Sequence, residues 1–197
     1  MTVLMLDVDG VLVTGRPRDG KHLFTDLEEE LGVPLERLQR EFFAVHWPEI
    51  VVGRAALEPR LSAVLAEIAP DVSAAALIDY WFANDARIDT EVLAGVDRLR
   101  ASGIRVLLAT NQEHLRAKYL METMDLSRHV DGIAYSAALG YRKPMPEFYA
   151  GAARVAGVEP RELLLVDDVR DNIDAAIAAG WRGVQWTGGQ RLEDLLG

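Results

Sequence analysis

The sequence predicts an α/β fold: a Rossmann-like three-layer sandwich, with a parallel sheet between two helical layers and an inserted helical cap domain. Three observations predict it. Short apolar runs of strand length recur along the chain, helical patterns separate the later runs, and one long segment breaks the alternation. Strands that alternate with helices in this way pair in parallel through right-handed crossovers.

The first run, Val3 to Leu6, is followed by four others at Ile104 to Ala109, Gly132 to Tyr135, Leu163 to Val166 and Gly183 to Trp186. Between the first and second lies a stretch, Arg16 to Asn84, whose one β-branched run is the short Ile50, Val51, Val52. It reads as amphipathic helices punctuated by turn signals at Gly32-Val33-Pro34, Pro48, Gly53 and Pro70-Asp71. The expected domains are therefore a Rossmann-like core, residues 1–15 and 85–197, and a helical cap, residues 16–84. After the cap, Thr90 is placed to cap a helix carrying Val92, Leu93, Val96 and Leu99 on one face and ending near Gly103. A second core helix runs through Leu115, Tyr119, Leu120 and Met124. Pro146 and Glu147 suit the first turn of a third, with Phe148, Ala152 and Val155 inside. A fourth follows Asp171, with Ile173, Ala176 and Ile177 facing in and Gly180 as its stop.

At 197 residues, 50% of them hydrophobic, the chain suffices for one generous domain or for a core with a smaller insert. The net charge of −10 argues against nucleic acid and anionic membrane as partners, because both are bound through clustered Lys and Arg. A small anionic substrate stays open, provided that its site concentrates positive charge. The chain has no cysteine, so disulfides and thiolate chemistry are excluded. Asp7 interrupts the N-terminal apolar run too early for a signal peptide or membrane span, so the expected location is cytoplasmic. The expected state is a monomer or homodimer acting on a small molecule.

In an open parallel sheet, ligands sit at the carboxyl ends of the strands. Asp7 and Asp9 follow the first run, Thr110 and Asn111 the second, Asp167 and Asp168 the fourth, and Lys143 lies beyond the third in the loop GYRKPMP. Taken alone, each is weak. With 16 aspartates in the chain, roughly one D-x-D pair arises by chance, and its ordinary role is a turn or strand-end cap. An EF-hand calcium loop fails, since that pattern wants glutamate where Arg18 stands. Asp167, Asp168, Asp171 and Asn172 could cap the helix after them, but capping needs one acceptor and several carboxylates call for a cation. With only oxygen ligands and no histidine nearby, Mg²⁺ suits them best. Thr110 and Asn111 are either the N-cap of the next helix or, with that helix, part of an anion site. Lys143 is one of three lysines, with Lys21 and Lys118, and the one near these loops; beside carboxylates and a phosphate it would screen their repulsion.

In this order and at these strand ends, LDVDGVL, LLATN, the lysine of YRKP and LLVDDVRDN resemble the four signature motifs of the haloacid dehalogenase-like hydrolase superfamily. The core resemblance covers about residues 1–14 and 90–187, and the helical stretch resembles the cap that one subfamily inserts after its first strand. GYRKPMPEFY and VDDVRDNIDAA look most like the branch containing sugar-phosphate phosphatases and the N-terminal phosphatase domain of soluble epoxide hydrolases.

The resemblance implies a Mg²⁺-dependent phosphatase working through an aspartyl-phosphate. Asp7 would be the nucleophile and Asp9 the acid and base. Mg²⁺ would be held by the Asp7 carboxylate, the Asp9 backbone carbonyl and the Asp168 carboxylate, supported from behind by Asp167 and Asn172. Thr110, Asn111 and Lys143 would bind the phosphoryl oxygens. A phosphomutase would share all these residues. A 2-haloacid dehalogenase needs neither Mg²⁺ nor an acid at Asp9, and an inactive binding domain would be expected to have lost at least one of them. Substrate choice is expected to lie in the cap, at His46, Trp47 and Arg54, with Arg16 and Arg18 beside the active loop. For Trp47, together with Phe42 and Phe43, the ordinary alternative is packing inside the cap.

Overall fold

The structure, a computed structural model, describes residues 2–196. Its five strands are β1 (Val3–Leu6), β2 (Arg105–Thr110), β3 (Ile133–Tyr135), β4 (Leu163–Asp167) and β5 (Arg182–Gln185). They form one sheet in the order β3-β2-β1-β4-β5, with every pairing parallel. β1 lies at the centre, with Val3 in register with Arg105 on one side and Leu163 on the other. A strand flanked on both sides and covered on both faces has no polar face, which is why VLML is continuously apolar. Alternate residues divide between the layers. Leu4 and Leu6 join Val106, Leu108, Leu164 and Val166 on one face, and Val3 and Met5 join Leu107, Leu163 and Leu165 on the other.

The helices are α1 (Leu27–Leu31), α2 (Leu35–Arg37), α3 (Trp47–Ile50), α4 (Leu57–Ile68), α5 (Ala74–Asn84), α6 (Thr90–Ala101), α7 (His114–Lys118), α8 (Ser136–Leu139), α9 (Pro146–Ala156) and α10 (Arg170–Ala178). α2 continues as π-helical turns over Leu38–Phe43, and α7 does so over Tyr119–Thr123. One outer layer is α6 and the turns after α7, which bury Val92, Val96, Leu99 and Leu120 against the first sheet face. The other is α9 and α10, which bury Phe148, Tyr149, Ala152, Ile173 and Ala176.

The strands fall within a residue of their expected bounds, but the helix ends differ. Asp89, not Thr90, caps α6, its carboxylate accepting the Glu91 and Val92 amides. Glu113, not Thr110 or Asn111, caps α7 through the Leu115 and Arg116 amides. α10 has no side-chain cap, because Val169 holds the cap position; Asp167 instead accepts the Val169 amide at 2.8 Å and the Asn172 side chain at 3.0 Å. Pro48 sits inside α3 instead of ending it, at a position where a helical N–H has no intrahelical partner. Val155 and Ile177 are 46% and 51% exposed, so the buried stripes of α9 and α10 are narrower than the apolar pattern suggests.

The inserted helices have an apolar cluster of their own, including Leu27, Leu38, Phe42, Leu61, Leu65, Leu77 and Phe82. Trp47 belongs to it, with its ring centroid 5.3 Å from Trp81 and 5.8 Å from Phe43. The chain leaves and re-enters the sheet layer at one place, where Thr14 donates to the Arg87 carbonyl and Asp89 to that of Leu12, both at 2.9 Å. Arg116 fastens this junction from beneath. Its buried guanidinium donates to the Phe82 and Asp85 carbonyls, pairs with the Asp85 carboxylate at 3.3 Å and lies 5.4 Å from the Phe82 and Tyr119 ring centres.

Candidate active site

The site begins where β1 ends. The Asp7 amide still donates to the Val166 carbonyl, extending the ladder to β4, and the chain then folds into a tight loop. In that loop the Val8 carbonyl accepts the amides of Leu12 and Val13, both at 2.8 Å, and Gly10 takes a φ of +79°. The turn explains the one-residue spacing of the aspartates. It directs Asp9 to the open side, while Asp7 stays buried at the strand end.

Four loops converge there on a cleft of about 320 Å³, lined by Asp7, Asp9, Thr110, Asn111, Lys143, Asp168 and Asn172 along with Gly10 and Val169. The sequence expectation for the core residues is thus met as a juxtaposition, with Asp167 directly behind. The Lys143 ammonium is buried between two carboxylates, 2.9 Å from Asp7 Oδ1 and 2.5 Å from Asp167 Oδ2. Asp167 Oδ1 accepts the Val169 amide at 2.8 Å and Asn172 Nδ2 at 3.0 Å, so both its oxygens are occupied. Tyr149 in turn donates to the Asn172 carbonyl at 2.7 Å.

Asn111 lines the cleft and also makes contacts that the sequence does not announce. Its amide donates to the Lys143 carbonyl at 3.1 Å and its oxygen accepts the Lys143 amide at 2.8 Å, so it clamps the lysine loop to the end of β2. Thr110 is fully buried at that strand end.

Burial and crowding of like charge set the electrostatics. Asp7, Asp9 and Asp168 line the cleft with Asp167 behind it, and of these four carboxylates Asp7 and Asp167 pair directly with Lys143. Burial pushes the Asp7 carboxyl up to about 7, opposed by Lys143 and reinforced by Asp167 and Asp9. Asp9 is raised to about 6 by the protein packed around it and by Asp85, although part of its surface meets water. Asp168 is shifted upward by burial and then by Asp167. For Lys143 burial works the other way, but Asp7 and Asp167 outweigh it and keep the ammonium charged.

This excess of negative charge is what a divalent cation would neutralise. Asp7, Asp167 and Asp168 each present a carboxylate oxygen, and these oxygens lie within 4.8 Å of one another. An all-oxygen set with no histidine or cysteine in it fits Mg²⁺. Since Asp167 is committed to Lys143, Val169 and Asn172, the carboxylates free to ligate are Asp7 and Asp168. Gly10 admits Asp168, whose carboxylate would collide with any Cβ built at that position. Gly10→Ala combines this collision with a left-handed φ, and is expected to cost more than about 1–2 kcal/mol in a urea unfolding experiment. A midpoint equal to that of the unmodified protein would mean that Asp168 moves aside freely.

The residues expected to set specificity are not brought to the cleft: His46, Trp47 and Arg54 do not line it. Trp47 is held in the aromatic cluster, His46 packs against Phe42 at 6.2 Å, and Arg54 pairs on the surface with Glu49 at 3.3 Å. Arg16 is fully buried against Asp19 and Asp26, and Arg18 bridges Asp26 and Glu30. Two residues at the site escaped the sequence reading. Gln112 donates to Asp9 Oδ2 at 2.7 Å, and Gln185 donates to the Asp168 carbonyl at 3.0 Å. For Gln112 there was a signal: a polar residue two positions beyond the end of a buried strand.

The chain resembles known proteins in sequence and in fold. The family model for haloacid dehalogenase-like hydrolases matches residues 1–180. A phosphoglycolate phosphatase of Mesorhizobium japonicum is 25% identical over 181 residues, spanning 90% of this chain and 79% of that protein. Another, from Neisseria gonorrhoeae, is 33% identical over 106 residues, which is 54% of this chain and 45% of that protein. Among solved structures, a family enzyme of Bacteroides thetaiotaomicron in complex with magnesium and inorganic phosphate superposes with a TM-score of 0.81 at 18% identity, covering 100% of both chains. That last likeness is one of fold. With the family match running from the central strand to the turn before the last one, the chain belongs to the haloacid dehalogenase-like hydrolases.

Proposed function

We propose that this hydrolase is a Mg²⁺-dependent phosphatase that cleaves a small phosphate monoester through an aspartyl-phosphate on Asp7. The observation that carries the reading is the placement of Asp7, with one oxygen held and one free. Oδ1 accepts the Val8 amide at 2.7 Å and the Lys143 ammonium at 2.9 Å, which leaves Oδ2 to attack. Attack by Oδ2 on phosphorus forms the acyl-phosphate bond as the bond to the leaving oxygen breaks, and Asp9 supplies that oxygen with a proton. Asp9 then removes a proton from the water that hydrolyses the acyl phosphate, returning Asp7 as a carboxylate. Lys143 stabilises the charge on the transferring group and, with Asp167 behind it, cannot swing away.

Mg²⁺, when bound, supplies charge neutralisation for the carboxylates and the phosphoryl oxygens. Asp7, the Asp9 backbone carbonyl and Asp168 would hold it. Asp167 and Asn172 keep Lys143 and the metal-side loop in place. Thr110 and the Asn111 end of β2 form the phosphate side of the cleft. The inserted helices, residues 16–84, act as a cap that shields the acyl phosphate from adventitious water.

Support for phosphate as the substrate comes from the intact Asp9 and Asp168 and from the names of the two relatives. A panel of phosphoglycolate, sugar phosphates and p-nitrophenyl phosphate tests it, read as inorganic phosphate released. At least one small monoester is expected to turn over in Mg²⁺ buffer. Failure on the whole panel, or conversion to an isomeric phosphate with no release, would contradict a phosphatase.

A further inference from the structure

Gln112 has no task in the reaction as proposed above, yet its side chain hydrogen-bonds the Asp9 carboxylate. Its side chain is buried, with Nε2 2.7 Å from Asp9 Oδ2 and 3.3 Å from Thr110 Oγ1. Asp9 sits on a loop that turns away from the sheet, so nothing in strand geometry sets the direction of its carboxylate. A carboxylate without such a partner has several rotamers of similar energy, and a proton donor must lie within hydrogen-bond reach of its acceptor.

The backbone of Gln112 is itself anchored. Its carbonyl accepts the Ala137 amide at 3.1 Å and lies 3.1 Å from the Ser136 hydroxyl, which donates to the Val51 carbonyl of the inserted segment at 2.6 Å. The amide that touches Asp9 is thus built on a point where β2, the start of α8 and the insert meet.

We propose that Gln112 is a positioning residue that holds the Asp9 carboxylate toward the leaving-group side of the cleft, occupying Oδ2 and leaving Oδ1 to carry the transferred proton. The assignment rests on the role proposed above for Asp9. It makes a prediction that a merely structural role would not. Protonation of the leaving group matters most when that group is basic, so loss of Gln112 harms esters of basic alcohols more than esters of acidic ones.

The experiment compares Gln112→Met, which keeps length and removes the amide, with the unmodified protein on phenyl phosphate and p-nitrophenyl phosphate. These esters are alike in shape, and phenolate is the more basic leaving group. The value of kcat/KM, which reports formation of the acyl phosphate, is expected to fall by about 30-fold or more on phenyl phosphate and by no more than about 3-fold on p-nitrophenyl phosphate. Equal losses on both esters, or no loss on either, overturn the proposal. Gln112→Asn, whose amide is one methylene short, should show the same split and covers the case in which the methionine variant does not fold.

Asp9→Asn, measured in parallel, separates the two claims. If it shows the split and the Gln112 variants do not, the Gln112 assignment fails alone. If Asp9→Asn shows no split, the acid role of Asp9 falls, and the Gln112 assignment falls with it.

Discussion

Asp7→Asn is expected to reduce turnover of p-nitrophenyl phosphate to background, a loss of at least about 10³-fold, while the protein stays folded. The substitution keeps shape and volume but replaces a carboxylate with an amide that forms no acyl phosphate. It also removes one of four carboxylates crowded around a single lysine, so like-charge repulsion in the cleft falls. Lys143 retains Asp167 at 2.5 Å and is not left unpaired. Thermal unfolding should therefore show a Tm close to that of the unmodified protein, or above it. A variant that turns over at more than a few per cent would remove Asp7 from the nucleophilic role.

Removing divalent cations with EDTA is expected to have an effect of similar size, and excess Mg²⁺ should restore activity. Without a cation, burial and neighbouring carboxylates hold the Asp7 carboxyl up at about 7, so a fraction of it is protonated at neutral pH and cannot attack. A bound cation lowers that pKa by favouring the charged form. The same linkage predicts stabilisation, since an ion that binds only the folded protein at 100 times its Kd adds about 2.7 kcal/mol. A Tm that rises with Mg²⁺ in the unmodified protein and not in Asp168→Asn would confirm the ligand. Full activity in EDTA would contradict the mechanism.

What could be read from the sequence was whatever depends on neighbours along the chain. A strand buried on both faces must be a continuous apolar run, so VLML and LLLV marked themselves, and ligand residues at their carboxyl ends followed from position. Lys143 stood out as the one lysine near these loops, and the resemblance carried by YRKP gave it a role. Contacts set by the fold were not legible. Gln112 and Asp9 are 103 positions apart and meet because β1 and β2 are adjacent in the sheet. The tie of Asn111 to the backbone of Lys143, 32 positions away, was equally hidden, because backbone groups leave no mark in sequence.

The inserted segment was the hardest to read. His46, Trp47 and Arg54 have the chemistry of a binding site, but aromatic and basic residues serve equally well in a small apolar core and its charged rim. Phe24, Phe42, Phe43, Trp47, Trp81 and Phe82 form one connected set of rings, and Trp47 is part of that set. Buried arginines were missed for a related reason. Arg16, expected beside the active loop, and Arg116 are both buried, Arg16 against Asp19 and Asp26 and Arg116 against Asp85.

The covalent intermediate on Asp7 is open to direct observation by acid-quenched mass spectrometry of Asp9→Asn incubated with Mg²⁺ and p-nitrophenyl phosphate. In that variant the good leaving group departs without an acid, but hydrolysis lacks its base, so the intermediate should accumulate. A phosphoryl group is expected on the peptide that carries Asp7, absent when Asp7 is also replaced by asparagine. Release of p-nitrophenolate with no phosphoryl group on Asp7, or with the group on another residue, would contradict it.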